Sequence, residues 1–464
     1  MKQLIIGIDG GDQSILEQMP MPFLKSLLER GETKHLTEDL LSRGWVEILS
    51  GKYARDTKAF YMVPKCDGTN KIVFKYSLGE LLGNKEVKPI WEIPGKDVPV
   101  AMMNVPTTFP AQPVNGFFVS GAGGGVNKVD GIPESLCHPK SLASDLSKLG
   151  YKIDIRFGTA GIKDISQLFD QLSEMLEKRA EAFIELQKKY ETEFAFVTFR
   201  ATTVIQYLAM IEMQDYFERQ KGNKGTVHKS TELWDRGFKK LYTTLDVCIK
   251  NVFETTNPDN WTVTSDHGAV PYRYRVNINK FMQASGLQKA RLNMMQSVRG
   301  IAKKIVRGDE FDWIRDIDFG RSKAFGHWYL SGIFVNDKTR FGGPVREEEI
   351  ESVTALICDN FNRTPEAKEH EMEARPYRSK SPNAKYNSHL PDVKIHCSDE
   401  YFFSRYPGDF VRPNPDYKPL ESIANVSGGM HSGQKGRHPL FCCDRETAKL
   451  IPVSYTHLTL PTKA

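Results

Sequence analysis

The sequence predicts an α/β protein: a mostly parallel central sheet flanked by helices on both faces, carrying cap-like insertions. Three observations lead there. Short apolar runs recur at 4–8, 98–103, 194–199 and 261–264, the length and composition of buried parallel strands. Helical patterns separate them, as βαβ crossovers require. Polar, charge-rich stretches at about 211–232, 287–325 and 362–388 interrupt the alternation and read as insertions.

The first run, in "MKQLIIGIDGGDQ", is a strand ending at Asp9. It is too short for a signal peptide or a membrane span. Asp12 precedes "QSILEQM" and suits a helix N-cap. Further on, "SQLFDQLSEMLEKRAEAFIELQKKY" places Leu168, Leu172, Met175, Leu176, Phe183 and Leu186 on one helical face, which is core. The three polar segments are solvated surface by default, with a substrate-facing cap as the sharper alternative. One domain is expected over 1–452. The tail 453–464, in "PVSYTHLTLPTKA", resembles a translated sequencing adapter and is set aside as non-native, His457 included.

Composition narrows the function. The chain has 464 residues, 40% hydrophobic and 26% charged, with a net charge of +5, as expected of a globular protein without a polyanion-binding block. A small phosphorylated substrate is compatible with that balance; a nucleic-acid polymer or a membrane partner is not indicated. Seven scattered cysteines without CxxC spacing suggest reduced thiols and a cytoplasmic location.

Chemistry is expected where strands end, because ligands of open α/β sheets gather at the carboxyl ends of strands. "LIIGID" ends at Asp9, "FAFVTF" runs into Arg200, Thr202 and Thr203, and "WTVTSDHG" ends at Asp266 and His267. Two carboxylates and an imidazole are a metal donor set. Taken singly, each acid is equally an ordinary turn residue. In "LLSRGWVEILSGKYARDT", Ser42 and Arg43 precede a helix and could serve as a nucleophile and an oxygen clamp for phosphate. By local sequence alone, a plain N-cap beside a surface arginine is the better account. "SGAGGG" (120–125) lacks the Gly-Lys-Ser/Thr ending of a P-loop and reads as a turn, and "GIDGGD" is not a dinucleotide fingerprint.

Taken together the motifs resemble a family. "IIGIDGGD", "MPFLKSLLERG", "GWVEILSGKYARDT", "VAMMNVPTTFPAQPVNGFFVSG", "PDNWTVTSDHGAV", "RSKAFGHWYLSGIFVN", "LPDVKI" and "GGMHSGQKG" occur in the order of the type I phosphodiesterase/nucleotide pyrophosphatase family of the alkaline phosphatase superfamily. The resemblance implies an alkaline phosphatase-like fold. It also implies a metal-dependent phosphohydrolase acting on phosphodiester or nucleotide pyrophosphate bonds through a phospho-enzyme. The ions implied are zinc, one or two, with manganese as a substitute. By matching position, Asp9, Asp266 and His267 are ligands of one ion and His431 of the second. Gly268 would turn the chain so that neighbouring side chains meet one ion.

The chain departs from the family pattern twice. In "TTVIQY", Thr203 and Tyr207 stand where the family carries the acid and histidine of the second ion. The nucleophile position aligns with Leu41, and Ser42 takes the role on a one-residue shift; Thr57 also replaces a common histidine. The rival expectation is therefore a degenerate member that binds a phosphorylated ligand or a protein. A sulfatase reading fares worse, for want of a Cys-x-Pro-x-Arg motif in "DLLSRG".

Overall fold

The computed structural model describes residues 1–36, 44–52, 57, 63–64, 68, 72–73, 87–121, 131–155, 164–225, 231–290, 317–326, 331–377, 390–403, 409–420 and 430–450. Its contacts divide the chain into two compact units. One comprises 1–59, 76–271 and 416–464; the other comprises 60–75 and 272–415.

The first unit is built on an eight-stranded sheet. Its order is Glu32–Thr33, Phe441–Cys443, Asn260–Thr264, Gln3–Ile8, Phe194–Phe199, Val100–Met103, Gly116–Val119 and Cys137–His138. The five middle strands are parallel, and each pairing beyond them is antiparallel. All four expected strands are present. Alternation along them explains why helices cover both faces. Leu4, Ile6, Ala195 and Val197 pack into one apolar core with the helices Pro22–Arg30, Ile165–Tyr190 and Thr231–Thr256. Ile5, Phe196, Met102 and Phe118 point to the opposite core with Trp45, Leu49 and Trp91.

Local chemistry fixes the helices. Asp12 caps Gln13–Gln18, accepting from the Ser14 N–H at 3.0 Å. Asp164 caps Ile165–Tyr190, accepting from the Gln167 N–H at 2.8 Å. Among the described residues no helix is long and apolar enough to cross a membrane.

The second unit has its own core, which includes Val276, Phe281, Ile333, Val335, Ile357, Phe361 and Ile395. It holds an antiparallel sheet ordered Ala324–Gly326, Gly332–Val335, Val393–His396, Glu373–Pro376 and a three-stranded sheet around Tyr274–Val276. Where one domain with insertions is expected, this second core marks a separate unit. The polar segments are also more ordered than their composition suggests. In 211–232, the helix Met210–Gln220 buries Met213, Tyr216 and Phe217 in the main core. In 362–388, Pro365–Glu369 is helical and Glu373–Pro376 is a strand, with 378–389 outside the described residues. A few apolar anchors in each stretch suffice to fold it, and average polarity hides them. Of 287–325, the described ends bury Leu287, Ile317, Ala324 and Phe325, while 291–316 lie outside the described residues.

Candidate metal centre

The parallel register brings the carboxyl ends of three strands to one rim. Gly7 lies opposite Thr198 on one side and Thr264 on the other. Asp9, Arg200 and Ser265–Asp266 therefore leave the sheet side by side, although they come from distant parts of the sequence.

At that rim Asp9, Asp266 and His267 converge, all buried, each with a ligand atom within 4.8 Å of the others. Among the described residues this is the one grouping of three or more such side chains. His267 has its tautomer set: Nδ1 lies 2.7 Å from the Gly268 carbonyl, to which it donates its proton. Nε2 is left as an acceptor, 3.5 Å from Asp266 Oδ2. A lone pair facing two carboxylates is an arrangement that a cation completes and that otherwise costs free energy. The hydroxyl of Tyr207, 3.3 Å from Nε2, is the protein's own donor to that position. The two rings stack with centroids 6.0 Å apart.

Asp9 is oriented from several directions. Trp45 Nε1 donates to Oδ2 at 2.9 Å, Thr203 Oγ1 donates to Oδ1, and Thr202 Oγ1 donates to the Asp9 carbonyl. Arg200 Nε sits 3.5 Å from Oδ2, while its NH1 pairs with Asp154. Asp266 Oδ1 accepts from the Gly10 N–H at 3.2 Å.

Electrostatics follow from this packing. Burial pushes the Asp266 carboxyl up to about 8, with the charge of Asp9 adding to the shift. Burial raises Asp9 as well. Arg200, His267 and the hydrogen bonds from Thr203 and Trp45 outweigh that effect and hold it below the usual carboxylate range. Burial lowers His267 to about 3, and nearby Lys435 adds to it. Arg200 is disfavoured by burial but held above its ordinary value by Asp154 and Asp9. The centre thus keeps a neutral imidazole and one firmly ionised acid, and its second acid gives up its proton only when a cation or base takes the proton's place.

The other expected site residues fare differently. Ser42 and Arg43 lie outside the described residues. His431 is not brought into the group. Its ring Nε2 lies 3.0 Å from the Lys418 carbonyl, to which it donates, and its backbone N–H bonds to the Tyr207 carbonyl at 2.9 Å. Burial lowers His431 from its ordinary value. Gly268 acts by close approach rather than by turning: a Cβ there would meet Asp12 Oδ2 at 2.6 Å. Sequence reasoning missed Trp45 and Asp154 as parts of the centre. A tryptophan in the first turn of a helix beside the candidate nucleophile was the available signal for Trp45. Asp154 gave none.

Fold and cluster together define a class: an α/β protein with a buried carboxylate–imidazole cluster, a candidate cation site, at the carboxyl rim of its parallel sheet. The model of the type I phosphodiesterase / nucleotide pyrophosphatase family matches residues 3–419. The chain belongs to that family, within the alkaline phosphatase superfamily. The match ends before His431. Solved structures similar to the chain include murine ectonucleotide pyrophosphatase/phosphodiesterase 5, at 12% identity and TM-score 0.47, covering 96% of this chain and 88% of that one. Phosphonoacetate hydrolase from Sinorhizobium meliloti is similar at 12% identity and TM-score 0.49, covering 96% and 90%. The alkaline phosphatase PafA is similar at 11% identity and TM-score 0.45, covering 95% and 90%. No curated protein matches the sequence.

Proposed function

We propose that the chain is a metal-dependent phosphohydrolase that cleaves phosphodiester or nucleotide pyrophosphate bonds of a small substrate. The observation that carries this reading is the convergence of Asp9, Asp266 and the Nε2 acceptor of His267 at one buried point. A zinc ion, with manganese as substitute, fits that donor set. When bound, such a cation supplies Lewis-acid polarisation of a phosphoryl oxygen and neutralises developing charge.

The protein's own groups prepare this chemistry. Trp45 and Thr203 hold the Asp9 carboxylate in one orientation, so little reorganisation is needed on binding. The Gly268 carbonyl keeps the proton off His267 Nε2. Ser42 is assigned as the nucleophile and Arg43 as the clamp on phosphoryl oxygens, giving a phosphorylated serine that water hydrolyses. Support comes from their neighbours: Trp45, three residues after Ser42, bonds Asp9, and Gly44 packs against the Asp266 backbone. Three residues span at most roughly 10 Å, so the segment is within reach of the centre.

A chromogenic phosphodiester assay with added zinc or manganese tests the proposal. Turnover is expected, is lost on chelation, and falls at least a hundredfold in Ser42→Ala. The second reading, a binding protein, is favoured by Thr203 and Tyr207 standing where the family carries ligands. Tight cation binding with no hydrolysis of mono- or diesters by the wild-type chain would select it.

A further inference from the structure

We infer that this chain holds one divalent cation, at Asp9, Asp266 and His267, and that the Arg200 guanidinium supplies the second positive charge of the centre, in place of a second ion. This deepens the metal-dependent reading above and rests on it. Among the described residues, the side chains around the three ligands do not offer a second donor set. Thr203 and Tyr207 are neutral hydroxyl groups already engaged with the first set, one donating to Asp9 Oδ1 and the other lying 3.3 Å from His267 Nε2. Neither is a good ligand for zinc unless ionised. His431 donates Nε2–H to the Lys418 carbonyl, so that nitrogen offers no lone pair. The second oxygen of Asp9, Oδ2, is already engaged, meeting Trp45 Nε1 at 2.9 Å and Arg200 Nε at 3.5 Å.

Charge points the same way. Among the described residues, the acids whose charges act here are Asp9, Asp266 and Asp154, and the bases are Arg200 and Lys435. With every acid ionised, these described groups sum to one net negative charge, before the Arg43 that the proposed function also brings to phosphate. One divalent cation turns it into one net positive charge, the complement of a phosphodiester monoanion. A second cation would leave these described groups with three net positive charges, to which Arg43 would add, at a large desolvation cost. Arg200 is also anchored: Asp154 grips NH1 and fixes the guanidinium beside Asp9.

The test counts ions rather than turnover. The full chain, stripped with a chelator and titrated with zinc by calorimetry, should take up one ion per chain, with the same count by elemental analysis after gel filtration. Two tightly held ions would overturn the inference and leave the metal-dependent reading standing; no bound ion would sink both. Arg200→Gln should still bind one zinc, roughly tenfold tighter, because a like charge a few ångström away is gone; weaker binding would contradict the role given to Arg200. In Thr203→Asp/Tyr207→His/Arg200→Gln the count should rise to two. If this variant keeps the wild-type circular dichroism and still binds one ion, the assignment of the missing site to these positions is wrong.

Discussion

Asp266 and His267 are neighbours whose burial moves their proton affinities in opposite directions, and the metal-free protein should show it. Asp266 rises from 3.8 to about 8 on folding. Between those values the folded state keeps a proton that the unfolded chain has released, so stability falls as pH rises. His267 drops from 6.5 to about 3. Between those values the unfolded chain takes up a proton that the folded state refuses, so stability rises with pH. The two slopes cancel from 3.8 to 6.5, leaving Asp266 alone from 6.5 to about 8. At ~1.4 kcal/mol per pH unit, the stripped protein should lose about 2 kcal/mol across that upper window. Urea denaturation of wild type and Asp266→Asn would measure the difference; the same slope in both would refute the assignment. Zinc must displace the Asp266 proton, so its affinity should climb over the same range. Asp266→Ala removes a ligand and should abolish high-affinity zinc uptake, which elemental analysis can check.

Helix Gly44–Ser50 shows how an element sets the centre's geometry. A Cβ on Gly44 would lie 2.2 Å from the Asp266 carbonyl oxygen, so only glycine lets the helix start against that strand end. One residue later Trp45 reaches Asp9, with its ring packed beside Phe196 at 6.1 Å. Gly10 is the matching constraint on the first strand: its φ is +69° and a Cβ would meet Thr203 Oγ1 at 2.5 Å. Gly44→Ala should therefore cost about 1–3 kcal/mol in stability by forcing backbone to shift. It should also weaken zinc binding by roughly tenfold, since the shift moves Trp45 off Asp9. Calorimetry on the folded variant gives the answer, and unchanged affinity would show that the helix start does not set the centre. The strands and the ligand trio were legible in the sequence because apolar runs ending in Asp or Asp-His carry their meaning locally. Trp45 and Asp154 were not, since their roles arise only where distant segments meet. The close approach at Gly44 is likewise set by backbone packed from a distant segment.

At the scale of the whole molecule, every described member of the cation centre belongs to the first unit, and the second unit is held by a different buried charge cluster. There Arg340, 5% exposed as a side chain, is gripped by Asp337 and by Asp392, the latter at 2.6 Å. Asp392 also accepts from the Val335 N–H at 2.7 Å, tying the cluster to the sheet. This second core was not legible in the sequence, because most of its apolar anchors, such as Val276, Ile333, Ile357 and Ile395, lie outside the polar stretches and look like further parts of a single core. Arg340→Met strips two buried carboxylates of their counter-charge, which typically costs about 3–5 kcal/mol. The loss should appear in the unfolding of residues 272–415, read by hydrogen exchange, with protection of the strand Gly332–Val335 falling first. Zinc uptake below the unfolding transition should stay at the wild-type count, because the three candidate ligands all belong to the first unit. A variant that lost the ion while its first unit remained protected would show that the centre depends on the second unit as well.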